Sequence, residues 1–126
     1  MPMPKPSNTY PKRGEIWVAD LIPGKGWEIA KKRPVIVIST NEINNISPLV
    51  IIIPISSQIP EILGPERVLL EKEKGTFNKN SVVLTEQIRA IDKSRLIKKL
   101  DILPKEKLLE VEDALKIVLG LESLES

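Results

Sequence analysis

Short runs of β-branched residues in the middle of the chain constrain its fold more than any other feature. The segments PVIVIS at 34–39 and LVIIIPIS at 49–56 are almost continuous in Ile and Val, and turn-forming residues bound them. Runs of this length and composition predict strands that are buried on both faces, as in a small barrel or sandwich. Pro54 cannot donate to a neighbouring strand, so it predicts a bulge or an unpaired position near the end of the second strand.

Four other segments have the composition of strands. EIWVADL is rich in β-forming residues and is closed by Pro23 and Gly24. ERVLLEKE, SVVLTEQI and RLIKKLDIL follow later in the chain, and the residues between the segments are typical of turns. The sequence predicts six strands, at 15–21, 34–39, 49–56, 66–73, 81–88 and 95–103, with turn-rich connections at 40–48, 57–66 and 75–80.

The last segment has the period of a helix instead. Pro104 suits its first turn and Gly120 its end, and between them apolar residues recur at three- and four-residue spacing, at Leu108, Val111, Leu115 and Val118. Strands followed by one amphipathic helix predict a mainly β fold with a C-terminal α-helix, a small antiparallel β-barrel whose open end the helix covers. A chain of 126 residues fits one domain, at 13–121, with a proline-rich flexible tail at 1–12 and a short tail at 122–126.

Composition excludes several kinds of active site. The chain has no cysteine and no histidine, so it lacks disulfides, thiolate nucleophiles, cysteine-type zinc sites and imidazole bases. Its net charge of +2 does not by itself indicate nucleic-acid binding, and one Phe and one Tyr exclude a multi-ring platform for stacked bases. It has no run long enough to span a membrane and no apolar middle of a signal peptide, which predicts an intracellular protein without a membrane partner.

Polar side chains gather just beyond the predicted strands. The connection GKGWEIAKKRP at 24–34 is too long and too charged for a simple hairpin, and it carries Glu28 and Arg33. SSQ follows the most apolar strand, and TEQIR lies at the end of a later one. Taken singly, each group is more often a solvated surface, a turn or a structural ion pair. In a barrel, however, loops after successive strands can meet at one rim, which favours a shared site.

These segments, taken in order, resemble the PemK/MazF family of toxin endoribonucleases. The resemblance rests on RGEIWVADL, GWEIAKKRPVIVIS, LVIIIPISSQI, SVVLTEQIRAIDKSRL and the closing KEKLLEVEDALKIVLGL, and it covers about 13–121. It implies an SH3-like antiparallel β-barrel, a homodimer, cleavage of single-stranded RNA such as mRNA in the cytoplasm, and a cognate antitoxin protein. It implies no cofactor and no metal.

The resemblance assigns roles to particular residues. It implies that Arg33 and Ser56 are catalytic, with Glu28 as a further catalytic residue carried by a flap hinged at Gly24 and Gly26. Arg33 would stabilise charge on phosphorus and the Ser56 hydroxyl would bond the same phosphoryl group, while the general base stays open between Glu28 and Glu86. The expected substrate-binding residues are Trp27, Ser57, Gln58, Glu86 and Gln87.

Three positions depart from the family pattern, and two other functions are open. Trp27 stands where a small residue is usual, Ile29 where Gln is usual, and Lys31 where Gly is frequent, so they bear on substrate choice. Trp27 either stacks on a base or packs under its loop or at a dimer contact. The protein is alternatively a non-catalytic toxin of this fold, gyrase-poison-like or inactivated, or a barrel that binds RNA without cutting it.

Overall fold

The computed structural model describes residues 10–21, 24–72 and 77–123, in which seven strands and two helices follow one another. The strands are β1 (Glu15–Asp20), β2 (Lys32–Val37), β3 (Leu49–Ser56), β4 (Arg67–Leu70), β5 (Ser81–Leu84), β6 (Arg89–Asp92) and β7 (Leu96–Ile102). The helices are α1 (Asn41–Ile46) and α2 (Lys105–Val118), and single 3-10 turns lie at Thr85–Gln87 and Lys93–Arg95. Neither helix is long and apolar enough to cross a membrane. The predicted tails and the predicted turn at 75–80 lie partly outside the described residues, at 1–9, 75–76 and 124–126.

All strands pair in antiparallel fashion in one sheet that branches at β3. The strand order is β4-β5-β3-β2-β1-β7. β6 lies outside this order: it pairs with the first half of β3, and β5 pairs with the last residues of β3 on the same edge. Among the described strands β4 and β7 are the outer ones, so the pairing does not close into a complete ring. The prediction of a mainly β, antiparallel, barrel-like fold with a C-terminal helix is confirmed.

The central strands are buried on both faces, as their composition predicted. Ile36 and Ile53 face one apolar cluster, which includes Val111 and Leu115 of α2. Val37 and its neighbours on the other face pack in a second cluster with residues of β1, β3 and β6. This two-sided burial is why these strands are continuous runs of Ile and Val instead of alternating with polar residues.

Pro54 lies where β3 changes its partner. The stretch of β3 up to Ile52 pairs with β6, and pairing with β5 begins at Ile55. Pro54 therefore occupies the gap between the two ladders, while its other neighbour is Val35 of β2. A residue without an N–H is tolerated there because the strand edge is changing partners.

Two predicted segments are different in the structure. The connection at 40–48 contains the helix α1, because the Thr40 side chain accepts a hydrogen bond from the Ile43 N–H and caps its start. Asn44 of α1 is fully buried and hydrogen-bonds Ser39, whose hydroxyl also accepts from the Ile51 N–H at 3.0 Å. This side chain anchors the short helix to β3.

The predicted strand at 81–88 is wrong in its second half. β5 ends at Leu84, and the chain turns through Thr85–Gln87 into β6. Thr85 is buried and its hydroxyl donates to the Glu66 carbonyl oxygen, so the turn is tied to the residue that precedes β4. This local hydrogen bond competes with extension of the strand. The predicted strand at 66–73 is likewise shorter in the structure and ends at Leu70.

A buried carboxylate on β1 gives the fold a measurable pH dependence. Glu15 accepts hydrogen bonds from the Lys12 N–H at 2.8 Å, the Trp17 Nε1 at 3.0 Å and the Lys99 Nζ at 2.9 Å. Burial raises the pKa of Glu15, but these hydrogen bonds and the Lys99 charge outweigh it, so the pKa lies below the ordinary value of 4.5. A lowered folded-state pKa stabilises the protein above the unfolded pKa, and the effect is lost as pH falls through the folded one.

We therefore expect Glu15→Gln to lower the free energy of unfolding by about 1–3 kcal/mol at neutral pH. The difference from the parent protein should shrink as pH falls below the ordinary pKa of a glutamate. Urea unfolding at neutral and acidic pH measures it, with Glu61→Gln, which removes an exposed carboxylate, as the control. Equal stability of parent and Glu15→Gln at neutral pH would contradict the role given to these hydrogen bonds.

Candidate active site

The long loop between β1 and β2 is closed at its base by backbone contacts. The Leu21 N–H donates to the Lys31 carbonyl oxygen at 2.9 Å. A Cβ at Gly24 would lie 2.6 Å from the Cβ of Ala30, so the two arms of the loop approach as closely as a glycine allows. Lys31 has a φ of +67°, the left-handed conformation, which explains why glycine suits this position better than lysine does.

Two side chains that follow β5 hold the tip of this loop. The Gln87 Oε1 accepts from the Ile29 N–H at 2.7 Å, and Arg89 donates from Nη2 to the Ile29 carbonyl oxygen at 2.8 Å. Arg89 also pairs with the Glu28 carboxylate at 3.6 Å, and the Gln87 Nε2 lies 3.4 Å from the Trp27 carbonyl oxygen. We call Gln87 and Arg89 the loop clasp. The sequence predicted Gln87 as a substrate-binding residue, and its amide is engaged with the loop backbone.

The loop clasp can be tested without substrate. We expect Gln87→Leu to raise the hydrogen-exchange rate of the Ile29 amide about fivefold, because a hydrogen bond worth roughly 1 kcal/mol is lost. Gln87→Glu is the matched control, since it keeps an oxygen that can accept from Ile29. An unchanged Ile29 exchange rate in Gln87→Leu would show that the loop is held by other contacts.

An open groove lies beneath this loop, with a volume of about 730 Å³. It brings together residues from all three polar groups that the sequence singled out, and its lining is Gly26, Trp27, Glu28, Ile29, Arg33, Ser56, Gln58, Arg67, Leu84, Glu86 and Gln87. Ser57 is the predicted site residue that does not line it. Ser57 lines a smaller adjoining depression, which it shares with Arg33 and Ser56.

Arg33 and Ser56 meet because of the strand register. Val35 of β2 lies opposite Pro54 of β3, and continuing this register by two residues puts Arg33 opposite Ser56 at the end of the ladder. Arg33 is half-buried and donates through Nε to the Ala30 carbonyl oxygen at 3.2 Å. Its Nη groups are thereby oriented and have no other partner in the described part of the chain. The Ser56 hydroxyl accepts from the Gln58 N–H at 3.1 Å, which leaves its own proton free to donate.

The two candidate bases are both paired with arginine. Glu28 is about half exposed and faces Arg89, whereas Glu86 pairs with Arg67 at 2.6 Å. Sequence reasoning missed Arg67, because an arginine at the start of an edge strand has no distinguishing pattern. Among the described residues no three carboxylates lie close enough together to form a metal-binding group.

Trp27 is the most exposed large apolar side chain of the described residues. Its exposed fraction is 99% at the rim of the groove. The alternative that it packs under its own loop is therefore wrong, and base stacking or a contact with another protein stays open. An apolar ring held in water at a groove of this kind is available to a ligand.

Comparison with known proteins agrees with this geometry. Residues 12–119 match the model of the family described as PemK-like, MazF-like toxin of type II toxin-antitoxin system. The endoribonuclease MazF of Staphylococcus epidermidis is 42% identical over 114 residues, which cover 90% of this chain and 95% of that protein. The crystal structure of MazF from Deinococcus radiodurans is 27% identical with a TM-score of 0.77, over 90% of this chain and 99% of that one. A MazE-MazF structure from the same organism is 27% identical with a TM-score of 0.73, over 91% and 100% of the two chains.

Proposed function

The chain belongs to the family of PemK-like, MazF-like toxins of type II toxin-antitoxin systems, and from this premise we propose that it is a sequence-specific, metal-independent endoribonuclease. Its substrate is single-stranded RNA, including mRNA in the cytoplasm. The observation that carries the proposal is that Arg33 and Ser56 both line one open groove of about 730 Å³. A curated relative with 42% identity over most of the chain carries the name endoribonuclease.

The reaction begins with the nucleophile that RNA itself supplies, the 2′-hydroxyl. Its oxygen attacks the adjacent phosphorus in line, the bond between phosphorus and the 5′-oxygen breaks, and that oxygen takes a proton from solvent to give a 5′-hydroxyl. A 2′,3′-cyclic phosphate forms, with no water molecule as nucleophile. Arg33 stabilises the extra negative charge on phosphorus, since its Nη groups form a planar fork that fits phosphate oxygens. The Ser56 hydroxyl donates a hydrogen bond to the same phosphoryl group.

Glu28 is the carboxylate that we propose as the base for the 2′-hydroxyl proton. The loop clasp supports this role, because Arg89 holds the Glu28 carboxylate from one side while half of its surface stays open to the groove. Glu86 is a weaker candidate as a base, since its carboxylate accepts two hydrogen bonds from Arg67. Gln58 and Ser57 contact the bases, whose unstacked edges such polar groups can distinguish. The polar atoms of Glu86 and Gln87 are already engaged with Arg67 and with the loop backbone.

The nature of the cut ends tests the proposal. The purified protein is incubated with single-stranded RNA in the presence of EDTA, and the fragment ends are identified by end-specific sequencing. We expect 2′,3′-cyclic phosphate and 5′-hydroxyl ends at a restricted set of sequences. Fragments with 5′-phosphate ends would contradict attack by the 2′-hydroxyl, and salt-sensitive RNA binding without products would favour the non-catalytic alternative.

We propose that Trp27 stacks on an unpaired base of the bound RNA. Its full exposure at the groove rim supports this, since a stacked base contributes about 1–3 kcal/mol. Trp27→Ala should therefore weaken binding of an uncleavable 2′-O-methyl RNA about tenfold or more, whereas Trp27→Phe should retain most of the affinity. Fluorescence anisotropy of the labelled RNA measures both. Equal affinity of Trp27→Ala and the parent would assign the ring to a protein contact instead.

We further propose that the protein forms an isologous dimer and binds a cognate antitoxin across the groove. The MazE-MazF structures of Deinococcus radiodurans, at 27% and 28% identity, support an antitoxin partner. Ile43, Ile46 and Leu49 are between 40% and 46% exposed, and a second copy would cover apolar surface of this kind. Light scattering at micromolar concentration should give the mass of two chains, and a monomer would count against the dimer.

A further inference from the structure

Arg67 is a second arginine of the groove that the mechanism above does not use. It begins β4, lines the same groove as Arg33 and Ser56, and has 27% of its side chain exposed. Its Nε and Nη2 both donate to one oxygen of Glu86, at 3.2 and 2.6 Å. A guanidinium has five N–H donors, so three of them have no partner among the described residues.

The backbone around this pair is fixed on both sides. Arg67 lies opposite Leu84 in the β4–β5 ladder. One residue before it, the Glu66 carbonyl oxygen accepts the buried Thr85 hydroxyl, and Glu86 comes directly after Thr85. The ion pair therefore joins two segments that are already held together, and Glu86 orients the guanidinium within the groove instead of bringing distant segments together. A pre-oriented cation with free donors is what binding of a phosphate requires.

We propose that Arg67 binds a phosphate of the RNA backbone other than the scissile one, with Glu86 as its positioning residue. This inference rests on the proposed function of the groove as an RNA-binding site. Arg33 of β2 and Arg67 of β4 both line the groove. Two phosphate contacts at different places in the groove would fix the direction in which the RNA strand runs through it. A phosphate contact acts on every RNA alike, so it adds affinity and alignment and does not read sequence.

The salt dependence of binding separates a phosphate contact from a structural ion pair. The probe is a short fluorescein-labelled oligonucleotide of mixed sequence in which every ribose is 2′-O-methylated, so it cannot be cut. We expect Arg67→Gln to reduce the slope of log affinity against log salt by about 0.7, the value for one contact with a single strand. Arg67→Lys should keep the slope, because it keeps the charge, but bind more weakly because it loses the fork.

Arg13→Gln is the matched control. Arg13 pairs with Glu112 at 2.5 Å, and the two side chains are 31% and 32% exposed, close to the values of the Arg67–Glu86 pair. Its hydrogen bonds to Ile38, Asn41 and Glu112 involve no residue that lines the groove. Thermal melting checks that each variant is folded, and Arg67→Met, which also removes the charge, carries the test if Arg67→Gln is not.

Three results would overturn the inference. A parental slope in Arg67→Gln, or an equal loss of slope in Arg13→Gln, would make Arg67 a structural residue only. An effect confined to probes of one base composition would make it a base-reading residue. Failure of this inference is distinct from failure of the proposed function. If the parent protein cleaves RNA and Arg67→Gln keeps the parental salt slope, only the role of Arg67 is contradicted. If Arg67→Gln lowers the salt slope but the parent protein never cleaves RNA, only the nuclease activity is contradicted.

Discussion

Arg33→Ala should lower the rate of RNA cleavage by about three orders of magnitude. The guanidinium lines the same groove as Ser56, and its Nε contact with Ala30 sets the direction of its Nη donors. Such donors are oriented before the charge on phosphorus develops, which is why their loss lowers the rate so strongly. The single-turnover rate constant on one defined RNA is the quantity to compare.

Lys32→Ala is the control for Arg33→Ala because the two cations are adjacent in the sequence. Lys32 is exposed and lines neither the groove nor the depression beside it, so its loss should reduce the rate less than about tenfold. Arg33→Lys should recover only part of the rate, since an ammonium is a point charge without a planar fork. Comparable rates for Arg33→Ala and Lys32→Ala would remove Arg33 from the chemistry and leave general electrostatic attraction as its role.

Convergence of the polar groups could be predicted because it depends on strand order. Continuous runs of Ile and Val identify the buried strands, and antiparallel neighbours bring the start of β2 to the end of β3. That pattern favours a shared site at one rim, and the family resemblance then singles out Arg33 and Ser56. The three- and four-residue spacing of apolar side chains likewise predicted the C-terminal helix, whose apolar face meets the core at Val111 and Leu115.

What the sequence did not predict depends on side-chain direction after a turn. In an uninterrupted strand at 81–88 the side chains would alternate between the two faces of the sheet. In the structure the chain turns at Thr85, so that the Gln87 side chain contacts the loop between β1 and β2 and the Glu86 side chain contacts Arg67 of β4. Arg67 was missed because an arginine at the start of an edge strand has no distinguishing pattern, and its contact with Glu86 depends on that turn. A single buried hydroxyl therefore decides how three polar residues are oriented.

The loop clasp also limits the movement of the Glu28 carboxylate. Glu28 lies on a loop that the sequence presents as a hinged flap, but Gln87 and Arg89 hold the adjacent Ile29 through both its N–H and its carbonyl oxygen. A base must stay within hydrogen-bond reach of the proton that it removes, and a loop held on both sides of Ile29 limits its movement. Catalysis and loop position are thus expected to change together in variants of the loop clasp.

Ser56→Ala should reduce cleavage about 100-fold, the second largest effect that the groove predicts. The Ser56 oxygen accepts from the Gln58 N–H, so the hydroxyl proton points away from that bond and is available to the phosphoryl group. Alanine removes this donor and keeps the strand, because Ser56 is at the end of β3 and still pairs with Val82 through its backbone. Binding of the uncleavable RNA should change little, since the donor matters most when charge has developed.

Ser56→Thr tests whether cleavage depends on the hydroxyl group or on the exact shape of the serine side chain. Threonine restores an O–H at the same carbon and favours a strand, so the rate should return to within several-fold of the parent. Ser57→Ala removes the neighbouring hydroxyl, which lines only the adjoining depression, and should alter the preferred cleavage sequence more than the rate. If Ser56→Thr were as slow as Ser56→Ala, the hydroxyl would have no part in the reaction, and Arg33 alone would have to stabilise the charge on phosphorus.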